Sequence, residues 1–247
     1  MGKVRWGVLS TAKIGAEKVL PAMQQGQLCE IAAIGSRSEA TGQEAATRLG
    51  IPKVYGSYEA LLADPEIDAI YNPLPNHLHV PMTIAAARAG KHVLCEKPIA
   101  PNAEEVRRIR DVAGQVRVAE AFMIRHHPQW QRVRELLRGE RIGTPRAVQA
   151  AFSYFNDNAA DIRNQRDIGG GALYDIGCYA ILVARYVFEA EPARAVALVD
   201  RDPRLRIDRV TSGLLDFGPG RIPDRAIFAC IELLVKQIDL FARGLDR

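Results

Sequence analysis

The sequence has only four cysteines, Cys29, Cys95, Cys178 and Cys230, far apart and with no CxxC among them. That excludes a disulfide scaffold and a zinc ribbon; reduced core thiols and a cytoplasmic location are expected. No apolar run approaches the ~20 residues that span a bilayer. The opening MGKVRWGVLS lacks the charged, apolar and small-residue regions of a secretory signal. No membrane partner is therefore expected. Internal repeats, low-complexity tracts and a flexible linker are missing too. So are blocks of like charge: 33 basic and 29 acidic residues are interspersed, for a formal +4. Without a basic stripe or an aromatic platform, no nucleic-acid partner is expected, and a mild attraction for an anionic small molecule is the functional reading of the charge.

What is present is the composition of a folded chain. With 48% hydrophobic and 25% charged residues over 247 positions, the sequence lies near the limit for one core and favours two domains. In the first half short apolar runs alternate with helical patterns. Strands are expected over Val4 to Leu9, Ile31 to Ser36, Ile67 to Tyr71, His92 to Cys95 and Val116 to Ala121. Helices are expected over Lys13 to Gln24, Glu39 to Leu49, Ser57 to Leu62, Asn76 to Gly90 and Asn102 to Val112, with Ser57, Asn76 and Asn102 as caps and Glu105 completing a capping box after Asn102. The pattern predicts an α/β fold with a doubly wound parallel sheet over residues 1–121.

Residues 122–247 read differently. A helix over Gln129 to Leu137 precedes a strand over Arg146 to Phe155; a long apolar helix runs from Gly169 to Val187; strands follow over Ala195 to Val199 and Val210 to Phe217. An amphipathic helix over Ile231 to Arg243 ends the chain. This predicts an α+β domain.

Doubly wound sheets bind dinucleotides where the first strand turns into its helix, usually through G-x-G-x-x-G. Here Ser10-Thr11-Ala12-Lys13-Ile14-Gly15 keeps only the last glycine. Ser10 and Ala12 are small enough for backbone amides to approach a pyrophosphate, whose charge a helix N-terminus favours. After the second strand, Ser36-Arg37-Ser38 stands where an acidic residue would bind the ribose hydroxyls of NAD. A guanidinium and two hydroxyls suit a 2′-phosphate, which predicts NADP with NAD possible; an exposed loop arginine is the alternative. The segment NPLPNHLH brings Pro73, Leu74, Asn76 and His77 to another strand end as candidate cofactor contacts. A His77–His79 metal pair is disfavoured by its spacing, and no metal is expected.

The stretches NPLPNHLH, AGKHVLCEKP, AFMIRHHP and GGGALYDIGCYAI, in this order, resemble the Gfo/Idh/MocA oxidoreductase family, in particular its glucose-fructose oxidoreductase, xylose dehydrogenase and dihydrodiol dehydrogenase branch. The resemblance covers about Val4 to Phe217. It implies a Rossmann domain followed by a domain with an open, mostly antiparallel sheet that packs helices on one face, often used for homo-oligomer formation. It implies that Glu96-Lys97-Pro98 lies beside the nicotinamide and that the helix after Gly169-Gly170-Gly171 faces the substrate.

Oxidising an alcohol requires a hydride to leave carbon while the hydroxyl proton departs to a base. Lys97 can hold that hydroxyl and stabilise developing charge. Asp175 and Tyr179 are four apart, on one helical face. A phenol titrates near ~10, but an adjacent ammonium favours the phenolate, so Lys97 and Tyr179 can act together. Asp175 would accept substrate hydroxyls and orient Lys97. Arg125 and Arg163 are secondary candidates for cofactor or substrate contacts. The triple glycine lacks the Lys-Ser/Thr ending of a P-loop and reads as close backbone approach to substrate or nicotinamide.

After Phe217 the resemblance stops, because FGPGR passes through IPDRAIF into the terminal helix where further strands belong. A reduced second sheet or a missing internal segment follows. The expected function is an NADP-dependent oxidoreductase acting on a sugar or related polyhydroxy compound, with a dihydrodiol or inositol-type substrate and a non-catalytic NADP sensor as alternatives.

Overall fold

The computed structural model describes residues 2–218 and 228–234. The chain divides into two compact units, Met1–Ala121 and Phe122–Arg247.

The first unit is built on six parallel strands, β1 (Val4–Leu9), β2 (Cys29–Gly35), β3 (Lys53–Tyr55), β4 (Ala69–Asn72), β5 (His92–Glu96) and β6 (Val118–Ala121), in the order β3-β2-β1-β4-β5-β6. The order reverses between β2-β1 and β4, which creates the switch point at which such sheets bind ligands. Adjacent residues face opposite sides of each strand. Val8, Ile34 and Tyr71 fall in one buried cluster and Leu9, Ala33 and Ile70 in another. A sheet buried on both faces requires such continuous apolar runs, which is why β1, β2 and β4 were legible. The three-residue β3 is too short and too polar to read as a strand; it is recruited by pairing Ala33–Gly35 with Lys53–Tyr55.

Five helices cover the sheet: α1 (Leu20–Gln24), entered through a π-helical turn at Gly15–Val19, α2 (Glu39–Leu49), α3 (Tyr58–Ala63), α4 (His79–Arg88) and α5 (Ala103–Ala113). Ser57 and Asn102 cap as expected, accepting the Ala60 N–H at 3.1 Å and the Glu105 N–H at 2.9 Å. Each such cap contributes about 1 kcal/mol. Asn76 does not cap α4. It opens a 3-10 turn, Asn76–Leu78, closed by the Leu78 N–H on the Pro75 carbonyl at 2.8 Å, and α4 starts at His79.

In the second unit α6 (Pro128–Arg138) precedes β7 (Ala147–Ser153). A π-helical turn, Leu173–Gly177, then runs into α7 (Cys178–Phe188), followed by β8 (Arg194–Arg201), β9 (Asp208–Asp216) and β10 (Phe228–Leu234). The sheet order is β7-β10-β9-β8; β8–β9 and β9–β10 are antiparallel and β10–β7 parallel. This is an open, mostly antiparallel sheet of four strands among the described residues.

Two expectations change here. Ile231–Leu234 belong to β10, paired on both sides, and not to a terminal helix; the remainder of that expected helix lies outside the described residues. A short apolar run fits either period, and the two flanking strands decide it by satisfying its backbone groups. The apolar helix does not open at Gly169, which instead ends a 3-10 turn, Arg166–Ile168, in the left-handed region. Among the described residues, the helical stretch Arg166–Phe188 is long and apolar enough, at 23 residues, to meet the length and composition for a membrane crossing. The sequence shows no such run because Arg166, Asp167, Asp175 and Arg185 interrupt it. Ala172, Ile176, Ala180 and Ala184 are buried with Leu215 and Phe217, so it is the core helix of this unit.

Candidate active site

The first strand-to-helix turn keeps the geometry of the dinucleotide fingerprint with one glycine of three. Ser10, at the place of the first glycine, takes a left-handed backbone with φ 70°. Its N–H donates to the Gly35 carbonyl at 2.8 Å, and its Oγ accepts the Ala12 N–H at 3.2 Å, a local bond that offsets part of the strain. Gly15 fills the third role. A Cβ there would stand 3.3 Å from Tyr71 Cε1 and 3.6 Å from Pro73 Cγ, so a side chain would push the helix off the sheet. Thr11 and Ala12 are half-buried, Lys13 and Ile14 exposed.

At the end of β2, Ser36 is buried and Arg37 and Ser38 are exposed. Ser36 Oγ accepts the Ser38 N–H at 3.2 Å; Ser38 Oγ caps α2 through the Thr41 N–H at 3.4 Å. Both hydroxyls keep an O–H proton to donate. Arg37 hydrogen-bonds Tyr58, whose phenol burial pushes up in pKa and Arg37 pulls back. The residues thus fit an adenosine dinucleotide, with one guanidinium and the α2 N-terminus where a 2′-phosphate would be held.

Lys97 follows β5, and its three neighbours are each fixed by a side chain from a different element. Tyr71 on β4 donates its hydroxyl to Glu96 Oε1 at 2.6 Å. Burial and that carboxylate raise the Tyr71 pKa and keep it a donor. His79 on α4 places Nδ1 2.6 Å from the Pro98 carbonyl oxygen. Glu120 on β6 accepts the Ile99 N–H at 2.7 Å. The Lys97-Pro98 peptide is cis. Within the preceding strand Cys95 is buried, its thiol pushed up to about 12 by desolvation, which makes it an inert core group.

Of the NPLP residues, Leu74 is a core side chain, 5% exposed, with both backbone groups committed: its N–H to Asn72 Oδ1 at 3.3 Å and its carbonyl to His79. Pro73 packs toward Gly15, Asn76 is half-buried, and His77 is exposed on the 3-10 turn.

In the second unit Asp175 lies in the π-helical turn and Tyr179 one turn later in α7. Asp175 is held from two directions: Tyr154 donates its hydroxyl to Oδ2, and Arg163 Nε donates to Oδ1 at 3.2 Å. Arg163 also pairs with Asp161 at 3.3 Å. Burial and the Asp175 carboxylate raise the Tyr154 pKa, so it remains a donor. Tyr179 meets the edge of Phe122, ring centroids 5.4 Å apart and planes at 87°. Arg125, exposed at the end of a 3-10 turn, Met123–Arg125, is not joined to the Asp175 cluster by any of these bonds. The glycines approach the chain itself: a Cβ on Gly170 would lie 2.6 Å from the Gln165 carbonyl oxygen and 2.7 Å from that of Arg163, and one on Gly171 would overlap Asp208.

Residues 4–142 match the model of the oxidoreductase family with an NAD-binding Rossmann fold, and residues 130–223 that of the GFO/IDH/MocA C-terminal domain. An uncharacterized oxidoreductase of Rhizobium meliloti is 51% identical over 90% of this chain and 67% of its own length. The chain belongs to the Gfo/Idh/MocA oxidoreductase family.

Among Gfo/Idh/MocA relatives, a D-xylose 1-dehydrogenase (NADP(+)) of Haloferax volcanii is 45% identical over 87% of this chain and 66% of its own length. The crystal structure of a 3-ketoreductase from Actinomadura kijaniata in complex with NADP and TDP-benzene superposes with a TM-score of 0.85 at 33% identity, covering 96% of this chain and 71% of that one. The chain spans about two thirds of the length of the curated relatives it matches.

Sequence reasoning missed Tyr71, His79, Glu120 and Tyr154 as partners of the candidate groups. Tyr154 carried a signal, a polar-tipped aromatic just beyond β7 in a half-buried alternation; the other three read as core or strand-end residues.

Proposed function

We propose that this chain carries the cofactor unit and part of the substrate unit of an NADP-dependent dehydrogenase or reductase acting on a CH–OH group of a sugar or related polyhydroxy compound. Residues 1–121 bind the dinucleotide; residues 122–247 bind substrate and join copies of the chain. The carrying observation is the fixed backbone around Lys97 at the carboxyl end of a switch-point sheet. A floppy surface lysine needs no neighbours pinned by Tyr71, His79 and Glu120; a reacting group does. The family relatives named above, a dehydrogenase of a sugar and a ketoreductase, support the same chemistry, and the NADP in their names supports the cofactor.

When bound, the nicotinamide accepts the hydride from the substrate carbon. Tyr179 takes the hydroxyl proton, and the Lys97 ammonium stabilises the negative charge that develops on the oxygen as the carbonyl forms. Asp175, oriented by Tyr154 and Arg163, accepts substrate hydroxyls. Ser10 to Gly15 carry the pyrophosphate, and Ser36, Arg37 and Ser38 the 2′-phosphate.

The second unit's sheet leaves Val196, Leu198 and Leu214 exposed, at 63%, 79% and 38%. Val196 pairs with Leu214 in register and Leu198 lies two residues on, so all three share one face. An apolar sheet face of this kind suits association of copies. The reading places the protein in the cytoplasm, in keeping with Cys29, Cys95 and Cys178 as free thiols.

The test is to titrate NADPH and NADH by fluorescence, then follow nicotinamide absorbance with a panel of aldoses, polyols and diols. Turnover with NADP that Lys97→Ala abolishes, with cofactor affinity nearly intact, upholds the reading. Tight NADPH binding with no turnover on any member would make the protein a sensor instead.

A further inference from the structure

One buried ring ties together the loops that leave β4 and β5. His79 is 1% exposed, with Nδ1 2.6 Å from the Pro98 carbonyl oxygen and Nε2 2.7 Å from that of Leu74. The two loops start side by side, since Asn72 pairs with Cys95. The Leu74 side is itself closed: Asn72, fully buried, accepts the Leu74 N–H at 3.3 Å and donates to the His79 carbonyl at 3.2 Å. The imidazole therefore works as a strut between a rigid corner and the carbonyl one residue beyond Lys97.

We propose that His79 is the positioning residue of Lys97, setting the lysine's place through the Pro98 carbonyl. The inference rests on the reading of Lys97 given above. Its physical basis is the number of fixed points. Tyr71 holds the Glu96 side chain, Glu120 holds the Ile99 N–H, and His79 holds the Pro98 carbonyl between them, so removing the ring loosens the backbone next to Lys97 while these two contacts on either side remain. Both carbonyls accept and neither donates, so each contact needs an N–H on the facing ring nitrogen. A neutral imidazole has one and an imidazolium two. Burial pulls the His79 pKa down, against the two carbonyls and the Glu96 carboxylate, with Lys97 the cation acting on it. The strut toward Lys97 needs a proton on Nδ1, the nitrogen that faces the Pro98 carbonyl, in either form.

The experiment compares His79→Phe, which fills the site without donors, His79→Gln, which keeps one donor, and Lys97→Ala, all in the full chain. Readouts are kcat and KM for the best panel substrate, NADPH affinity, melting temperature and the pH profile of kcat. His79→Phe should lower kcat by roughly 10–100-fold, the scale of a reacting group displaced by about 1 Å, with NADPH affinity within about threefold; His79→Gln should recover part of the loss. The pH profile should shift in both, which a loss of packing alone would not bring about. Nitrogen-15 NMR of the wild-type ring should show a proton on Nδ1, the nitrogen facing the Pro98 carbonyl. If His79→Phe keeps wild-type kcat and pH profile while Lys97→Ala is inactive, the inference fails and the reading of Lys97 stands. If Lys97→Ala remains active, the reading itself fails. Should His79→Phe not fold, His79→Gln and the NMR signature carry the test, and a ring whose Nδ1 carries no proton overturns the strut.

Discussion

Asp208 stands directly against Gly171: a Cβ on Gly171, whose φ is 124°, would overlap Asp208 Oδ1, while Asp208 Oδ2 accepts the Leu173 N–H at 2.6 Å. The start of the π-helical turn that carries Asp175 is thus held by a carboxylate that only glycine admits. Burial raises the Asp208 pKa, as it does for a carboxylate drawn out of water, and the Leu173 N–H offsets part of that.

Gly171→Ala should therefore cost roughly 3 kcal/mol or more, combining backbone strain of about 1–3 kcal/mol with displacement of a buried hydrogen-bonded carboxylate. Gly143 supplies the control, since its φ is 69° but nothing lies within 4 Å of its Cβ position. Gly143→Ala should lose only about 1–2 kcal/mol. Urea denaturation of the two variants measures both, and equal losses would mean that Asp208 moves aside without cost.

Tyr154→Phe removes a donor that holds Asp175 Oδ2 and leaves Arg163 Nε on the other oxygen. Loss of a half-buried bond to a charged acceptor should cost about 1–3 kcal/mol. If Asp175 receives substrate hydroxyls, KM for the sugar should rise by more than any change in NADPH affinity. Steady-state kinetics beside a fluorescence titration separates the two, and an unchanged KM would remove Asp175 from substrate recognition.

These two sites show where the sequence was informative. The parallel sheet was legible because β1, β2 and β4 are buried on both faces and leave uninterrupted apolar runs. Caps at Ser57 and Asn102 were legible because a hydroxyl or amide bonds a backbone three residues away. Asp175 and Lys97 stood out in the sequence as candidates, but the groups that hold their surroundings did not. Tyr154 is 21 residues from Asp175, and Tyr71 is 25 from Glu96. Pairings at such separation are set by strand order, which no local pattern encodes. β10 was misread for the same reason: its period fits a helix, and only β7 and β9 on either side make it a strand. The requirement for Gly170 and Gly171 was visible, while its cause, the chain's own carbonyls and Asp208, was not.

Arg37 offers a test of cofactor choice that leaves the chemistry alone. It is exposed at the end of β2, beside the α2 N-terminus capped by Ser38. Arg37→Ala should weaken NADPH by roughly 10–100-fold, the worth of about 1.5–3 kcal/mol for a hydrogen bond between charged groups, and leave NADH within about twofold. Competitive fluorescence titration measures the ratio. Equal weakening of both would mean that the guanidinium supports Tyr58 rather than reading a phosphate.

The acid side of stability should carry the mark of Asp64. This residue is 7% exposed and accepts the Tyr55 hydroxyl at 2.6 Å, the Glu66 N–H at 2.8 Å and Lys53 Nζ at 3.2 Å. Its pKa is lowered from 3.8 to about 2, first by the Tyr55 hydroxyl, then by the Glu66 amide, with the Lys53 ammonium adding to both against desolvation. Because the folded value is the depressed one, the stabilisation is complete above the unfolded value and disappears as pH falls through the folded one. The difference in unfolding free energy between wild type and Asp64→Asn should be constant from neutral pH down to about pH 5 and shrink between about pH 4 and pH 2. Other carboxylates depressed by their partners, Asp68 by Arg5 and Asp216 by the Gly218 N–H and Arg194, titrate in both proteins and cancel in that difference. Urea denaturation at pH 7, 4 and 3 measures it. A difference that persists unchanged at pH 3, or is absent at pH 7, would show that the Asp64 charge contributes nothing and that the network holds by its neutral hydrogen bonds alone.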